Sequence, residues 1–276
     1  MSHAHSQSSP APLEIIGAIT RLVRDGFVGA LATLIAAPGP LGAKLLVEET
    51  GARVGSLGDA ALDEGVARYS KIFLNLRAEA RTHAVEEFAP ELERWRAARV
   101  LFERIEPEPR LVICGAGHVG ASLARLAQLL GYRTTLIDDR ADFVTRERFP
   151  DERIELVRAV SWSEAVTEAI GGGRGVAVAV VTRGHNEDEE CMRAVVAARP
   201  DYMGLIGSKR RTNIVLERLR DAGAPAELLR EVRAPIGLDI GAVSPEEVAL
   251  AILAEIVAER RGGSLASLSH WRRTEA

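Results

Sequence analysis

Gly115, Gly117 and Gly120 spell a G-x-G-x-x-G pattern, and two acids, Asp138 and Asp139, follow after one helical and one β-rich run. Residues of these types in this order suit anion and nucleotide binding. The first glycine permits a tight turn, the second lets phosphates reach the backbone, and the third lets a helix pack closely on a strand. His118 and Val119 fall in the first turn of that helix, whose free N–H groups and positive dipole end favour negative charge. Asp138 or Asp139 stands where an acid would accept hydrogen bonds from ribose hydroxyls. A helix cap or a salt bridge to a nearby arginine is the structural alternative, and the glycines upstream favour the ribose role. Arg140 can meet a 2′-phosphate or stay at the surface. His118 can bond a ligand or move a proton near neutral pH, or it can cap and pack its helix.

Three further stretches gather polar residues after apolar runs. Thr182-Arg183-Gly184-His185-Asn186-Glu187-Asp188 follows an all-apolar Val/Ala segment. His185 and Asp188 have the spacing of half a metal site, but without a third ligand a loop-ordering hydrogen bond is the stronger reading. Gly207-Ser208-Lys209-Arg210-Arg211 opens a helix. Cations there oppose the helix dipole, so an anionic partner near Ser208 and Lys209 or Arg210 would offset the cost. Asp239 lies in the glycine-rich loop Ala234–Gly241. Cys114 ends the first strand and Cys191 sits on a helix, both as small packing residues. No Ser-His-Asp order, Walker lysine motif or C-x-x-C occurs, and no metal site is expected.

The elements that must hold these residues read as follows. Leu111–Cys114, Tyr132–Ile137, Ile154–Val157, Val176–Val181 and Tyr202–Ile206 are strands, alternating with helical runs. That alternation predicts α/β architecture, a Rossmann-like doubly wound parallel sheet over residues 107–262. Its ligand would lie beyond the carboxyl ends of the strands. Ser244-Pro245-Glu246-Glu247 is a capping box that starts the last helix. Before it, residues 13–106 predict a smaller α+β domain. It comprises a helix over Leu13–Arg24, strands near Phe27–Ile35, Ala43–Val47 and Ala52–Val54, and a helix from Ala60. Tyr69–Arg99 reads as charged helices broken near Pro90, with Glu91–Ala98 a solvated helix anchored by Trp95. Val100–Ile105 reads as an edge strand, and Pro107 and Pro109 mark the boundary. Residues 1–12, with His3 and His5, and 263–276 read as tails; Pro38-Gly39-Pro40 reads as a turn.

With 276 residues, 47% hydrophobic and 27% charged, the chain can bury a sizeable core. A net charge of −4 argues against general nucleic-acid or membrane-surface binding. No apolar run spans a bilayer, the start lacks the pattern of a secretion signal, and there are two cysteines, so a cytoplasmic location is expected.

The assembled motifs resemble the XdhC/CoxI family, accessory factors of xanthine dehydrogenase and related molybdenum hydroxylases. The resemblance rests on GAGHVG and DDR within Leu111–Arg140, on YMGLIGSKRR (Tyr202–Arg211) and on APIGLDIGAVSPEEVALAILAE (Ala234–Glu255). It is weaker through Gly42-Ala43-Lys44 and Gly55-Ser56-Leu57-Gly58. It implies a homodimeric factor, not itself a metabolic enzyme. Such a factor binds molybdenum cofactor, as the pterin or the pterin dinucleotide, and delivers it to the large subunit of a molybdenum hydroxylase, with a sulfurase as a further partner. The family pattern carries a cysteine after the GS(L/V) turn, where this chain reads Gly58-Asp59-Ala60-Ala61, and a Cys-Gly-Gly segment that is absent here. The readings from other classes are an NAD(P)-dependent oxidoreductase, with His118 or His185 as proton donor, and a nucleotide-binding regulatory module.

Overall fold

A computed structural model of the chain describes residues 12–36, 41–76 and 78–269. The tail expected over residues 1–11, the turn at Pro38–Pro40 and residues 270–276 lie outside the described residues. The chain divides into two compact units, Met1–Pro107 and Glu108–Ala276.

The first unit is an antiparallel sheet with a helix on each face. Its elements are α1 (Pro12–Arg24), β1 (Gly29–Ala36), β2 (Lys44–Glu48), β3 (Arg53–Ser56), α2 (Ala60–Asn75), β4 (Ala80–Ala84), α3 (Val85–Phe88), one 3-10 turn (Glu93–Trp95) and β5 (Arg99–Ile105), with sheet order β3-β2-β1-β5-β4. The two-residue period of a strand sorts β1 between the helices. Leu31 packs with Ile15, Ala18 and Leu22 of α1, whereas Ala30, Ala32 and Leu34 pack with Leu62, Val66 and Phe73 of α2. Asp59 starts α2 by accepting from the N–H groups of Ala61 and Leu62, a cap that contributes about 1 kcal/mol.

Three expectations for this unit are corrected. The stretch Tyr69–Arg99 is not a broken series of helices. α2 ends at Asn75, and β4 pairs antiparallel with β5, Thr82 opposite Leu101. Glu91–Ala98 is no solvated helix either: it holds a single 3-10 turn around Trp95, which is buried. β5 is therefore an inner strand, because β4 covers the side expected to be open. β4 is polar and exposed over Ala80–Thr82, so it shows none of the apolar alternation by which a strand is read. Its hold comes from main-chain pairing and from His83, which bonds the Tyr69 hydroxyl at 2.8 Å and Glu87 at 2.6 Å.

The second unit comprises β6 (Arg110–Cys114), α4 (His118–Leu129), β7 (Arg133–Asp138), a 3-10 turn (Ala141–Phe143), β8 (Ile154–Arg158), α5 (Trp162–Ile170), β9 (Val176–Val180), α6 (His185–Ala198), β10 (Tyr202–Leu205), α7 (Lys209–Asp221), α8 (Ala226–Glu231) and α9 (Pro245–Arg261). All five strands run parallel in the order β10-β9-β6-β7-β8. Alternate residues of β6 face opposite layers. Leu111 and Ile113 pack with Leu123 of α4 and Ile252 and Ile256 of α9. Val112 and Cys114 pack with Trp162 of α5, Val195 of α6 and Leu219 of α7. After α8 the chain lies parallel beside β10, with Leu205 N–H donating to Arg233 at 2.9 Å and Ile236 N–H to Leu205 at 2.9 Å. The Ala234–Gly241 loop thus leaves the sheet at the same rim as the strand ends. Because the chain runs outward from β6 to β8 and then crosses to β9, the strand order reverses between β6 and β9. That reversal opens the crevice where such sheets take ligands.

Candidate functional site

The glycine turn after β6 has the properties that its three glycines predict. Gly115 has φ +113°, and a Cβ there would lie 2.6 Å from the Val181 carbonyl oxygen. A Cβ on Gly120 would lie 1.8 Å from the Gly115 carbonyl oxygen, so α4 can approach β6 only without a side chain. Gly117 differs: its φ is −68°, and a Cβ there would meet nothing within 4 Å. Gly117 caps α4 with no side-chain bond, and the first turn of α4, with His118 and Val119, holds no acid. The first turn of α4 thus carries N–H groups and a dipole end with no side-chain cap and no acid of its own, a local feature that favours an anion. His118 is exposed at the start of α4. The α9 carboxylate of Glu246 accepts from Ser122 of α4 at 3.2 Å, and backbone hydrogen bonding at Glu246 together with Ser122 holds it below the ordinary carboxylate range.

The end of β7 locks onto that turn. Asp138 is 1% exposed. It accepts from Ala116 N–H at 2.7 Å, from Arg140 N–H at 3.0 Å and from Arg140 Nε and Nη2 at 2.8 and 2.9 Å. Asp139 bonds outward: both of its oxygens accept from Arg183, which follows β9, at 2.8 Å each. Arg183 holds the Asp139 carboxyl down to about 2. Since β6 lies between β7 and β9, this bridge joins the loops on either side of the glycine turn.

Arg140 continues into an aromatic cluster. Its guanidinium carbon is 3.4 Å from the Phe143 ring centre, and that of Arg148 is 4.5 Å from the same ring. Arg148 donates to the Phe143 carbonyl at 2.9 Å and to the Ala116 carbonyl, within the glycine turn, at 3.3 Å.

On the β9 side, Asp188 of α6 is buried beneath the rim. It accepts from Thr182 Oγ1 and from both Nε and Nη2 of Arg211. Burial pushes its carboxyl up, while Thr182 and Arg211 oppose that shift. Thr182 and Arg211, and not His185, are thus the bonded partners of Asp188. His185 starts α6 in an exposed position. Ser208 caps α7 by accepting from Arg211 N–H at 3.3 Å, and Lys209 and Arg210 are exposed beside it. Of the three cations at this helix start, Arg211 is the one held by an acid among the described residues. Asp239 is exposed in the loop before α9, and among the described residues no hydrogen bond ties it to the glycine turn.

Gly115, Gly117, His118, Val119, Gly120, Asp138, Asp139 and Arg140 thus form one bonded neighbourhood, with His185, Ser208 and Lys209 further along the same rim. Thr182, Arg183, Arg148 and Glu246 join it without having been singled out from sequence. Thr182 and Arg183 stood in a marked strand end. Arg148, between Phe143 and Phe149, carried only its aromatic neighbours as a signal. Cys114 and Cys191 are both free and buried, and burial together with the adjacent Cys114 pushes the Cys191 thiol far up, so neither is poised as a nucleophile. Among the described residues no group of three or more His, Cys, Asp or Glu side chains forms a metal site, and no helix is long and apolar enough to cross a membrane.

Known proteins resemble this chain in sequence and fold. The pattern of the XdhC Rossmann domain matches residues 111–256, and that of the XdhC and CoxI family matches residues 22–85. YqeB of Escherichia coli K12 is 29% identical over 83% of this chain and 43% of its own length. A probable xanthine dehydrogenase subunit of Bacillus subtilis is 32% identical over 59% of this chain and 46% of its own. The molybdenum cofactor insertion chaperone PaoD of E. coli K12 is 31% identical over 30% of this chain and 26% of its own. The chain therefore spans less than half the length of these relatives. A crystal structure of a xanthine dehydrogenase from Bacillus halodurans shares the fold, with a TM-score of 0.50 and 18% identity over 93% of this chain and 98% of that one.

Proposed function

The chain belongs to the XdhC and CoxI family, and we propose that it is an accessory factor that binds molybdenum cofactor as cargo and passes it to the large subunit of a molybdenum hydroxylase. The observation that carries this reading is the uncapped start of α4 at Gly117, open to space and flanked by guanidinium groups. The cargo is an anionic pterin, as phosphate or dinucleotide, and such a turn suits its phosphate end. The probable xanthine dehydrogenase subunit of B. subtilis and PaoD, a molybdenum cofactor insertion chaperone, are similar over parts of this chain, which supports the same direction. In this reading Gly115–Gly120 hold the phosphate, Lys209 supplies charge, Arg140 supplies N–H donors held in place by Asp138, and His118, His185, Ser208 and Asp239 line the approach. Asp138 and Asp139 act by fixing Arg140 and Arg183. The turn at Gly58–Ala61 offers no thiol, since Asp59 there caps α2, and Cys114 and Cys191 are buried. Binding therefore acts through the phosphate end of the cargo and not through a sulfur ligand. A cytoplasmic homodimer and a sulfurase partner complete the proposal.

The test is mass spectrometry of small molecules released on denaturing the full chain, purified from a molybdate-fed host, together with copurification of a hydroxylase large subunit. The expected result is a pterin or its oxidation product, recovered together with that subunit. A nicotinamide or adenine nucleotide alone, with no hydroxylase, overturns it in favour of a redox or regulatory nucleotide-binding protein.

A further inference from the structure

In a dinucleotide-binding unit the acid after the second strand reads the ribose hydroxyls. Here that acceptor is filled. The four hydrogen bonds received by Asp138 occupy the lone pairs of a carboxylate, and the group is 1% exposed. Asp139 has each oxygen bonded once, to Arg183, and keeps acceptor capacity at a part-exposed position. The acid closed to a diol is therefore the buried one, Asp138.

The same place presents cations instead. Arg140 and Arg148 lie against the one Phe143 ring, which restricts both guanidinium planes. Arg140 is neutralised by Asp138. Arg148 is not: its donors go to the Phe143 and Ala116 carbonyls, and among the described residues no carboxylate pairs with it. A whole positive charge is thus held 3.3 Å from the glycine-turn carbonyl of Ala116, next to Gly117. A planar guanidinium is the group best shaped for a doubly charged phosphate.

We infer that the site takes a ligand bearing a phosphomonoester, read by Arg148 with Arg140 beside the glycine turn, in preference to the same ligand with a free hydroxyl there. This rests on the proposed function in that the ligand enters at the glycine turn. The phosphomonoester can belong to a 2′-phosphorylated nucleotide or to a pterin phosphate. The Arg–Phe–Arg arrangement serves either.

Isothermal titration of the full chain with two probe pairs separates these sources: 2′-AMP against adenosine, and 6-hydroxymethylpterin phosphate against 6-hydroxymethylpterin. In one pair at least, the member with the extra phosphate is expected to bind about tenfold tighter or more, the scale of one added charge-assisted contact. Arg148→Gln is expected to bring that ratio close to one, with circular dichroism unchanged, and Arg148→Lys to restore part of it. A nucleotide-only preference assigns the first source, and a pterin-only preference the second. Equal binding within both pairs, no binding of any probe, or a ratio that survives Arg148→Gln overturns the inference. Its failure is distinct from that of the proposed function. Pterin recovered from the purified protein without phosphate discrimination sinks this inference alone, whereas discrimination in the adenosine pair with no pterin recovered sinks the cargo reading and leaves this one standing.

Discussion

Gly117 and Gly120 belong to one motif but differ in what a side chain would meet, so Gly117→Val and Gly120→Ala should fail in different ways. At Gly117 the backbone is extended, with φ −68° and ψ −168°, and a Cβ meets nothing within 4 Å. Glycine is a better N-cap than valine by about 1 kcal/mol, so Gly117→Val should stay within about 1 kcal/mol of the parent. At Gly120 a Cβ lands 1.8 Å from the Gly115 oxygen and 3.3 Å from a Val181 methyl. The Gly115 backbone cannot yield freely, because its N–H is bonded to Ile137 at 2.7 Å. Alanine within a helix gains about 1 kcal/mol over glycine, but overpacking at this depth costs about 3 kcal/mol or more. The net loss is about 2 kcal/mol. Amide exchange in β6 and β9 reads it locally, without requiring the two units to unfold together, and should quicken about thirtyfold in Gly120→Ala but no more than about fivefold in Gly117→Val. Titration with 2′-AMP should show the reverse order for Gly117→Val: fold kept, binding lost. Exchange in Gly117→Val as fast as in Gly120→Ala would refute the claim that Gly117 is free of structural duty, and undiminished binding would refute phosphate approach at that residue.

Asp188→Ala leaves the part-buried Arg211 without its acid and the Thr182 hydroxyl with only the Gly184 carbonyl, at 3.3 Å, and should lower stability by about 3 kcal/mol in thermal unfolding; Asp188→Leu with Arg211→Met should recover much of it. Arg183 holds Asp139 down to about 2. The contribution of this bridge is therefore complete above the ordinary carboxylate range, about pH 4, and fades as pH falls through about 2. Asp139→Asn should thus differ from the parent near neutral pH and converge with it in strong acid, whereas a gap that persists in acid would show that the bridge is not what is lost. Lys209→Ala should weaken 2′-AMP binding more at low salt than at high salt; a loss independent of salt would assign Lys209 a packing role.

What could be read from sequence followed from how each element declares itself. The strands of the second unit are short runs of Val, Ile and Leu, and their helices carry apolar residues at helical spacing, so the parallel sheet was legible to within one residue at the end of each strand. Ser244 and Glu247 announce α9 through a reciprocal cap that the structure contains. β4 was not legible, because a polar edge strand is held by main-chain bonds and by a histidine whose partner Tyr69 is on another element. Misreading β4 carried a second error with it, since an unseen neighbour turned the inner strand β5 into an edge. At the rim, the positions of Asp138 and Asp139 could be read, but not what their oxygens touch. That depends on Arg140 folding back over two residues and on Arg183 crossing from β9, and neither turn of the chain has a sequence period.

Summing charge around the glycine turn changes what those acids mean. Asp138 cancels Arg140, Asp139 cancels Arg183 and Asp188 cancels Arg211, each through short hydrogen bonds that fix the arginine in place. These three acids therefore behave as mounts for cations. Among the described residues of this rim, Arg148, Lys209 and Arg210 have no acid partner, and Glu246 and Asp239 have no cation partner. The mounted arginines are thus set among charges of both signs on the rim. Removing a mounting acid should not delete a ligand contact; it should release an arginine from its setting, so that affinity falls through lost alignment even as local positive charge rises. That inversion separates a mount from a contact, and it follows from the hydrogen bonds alone.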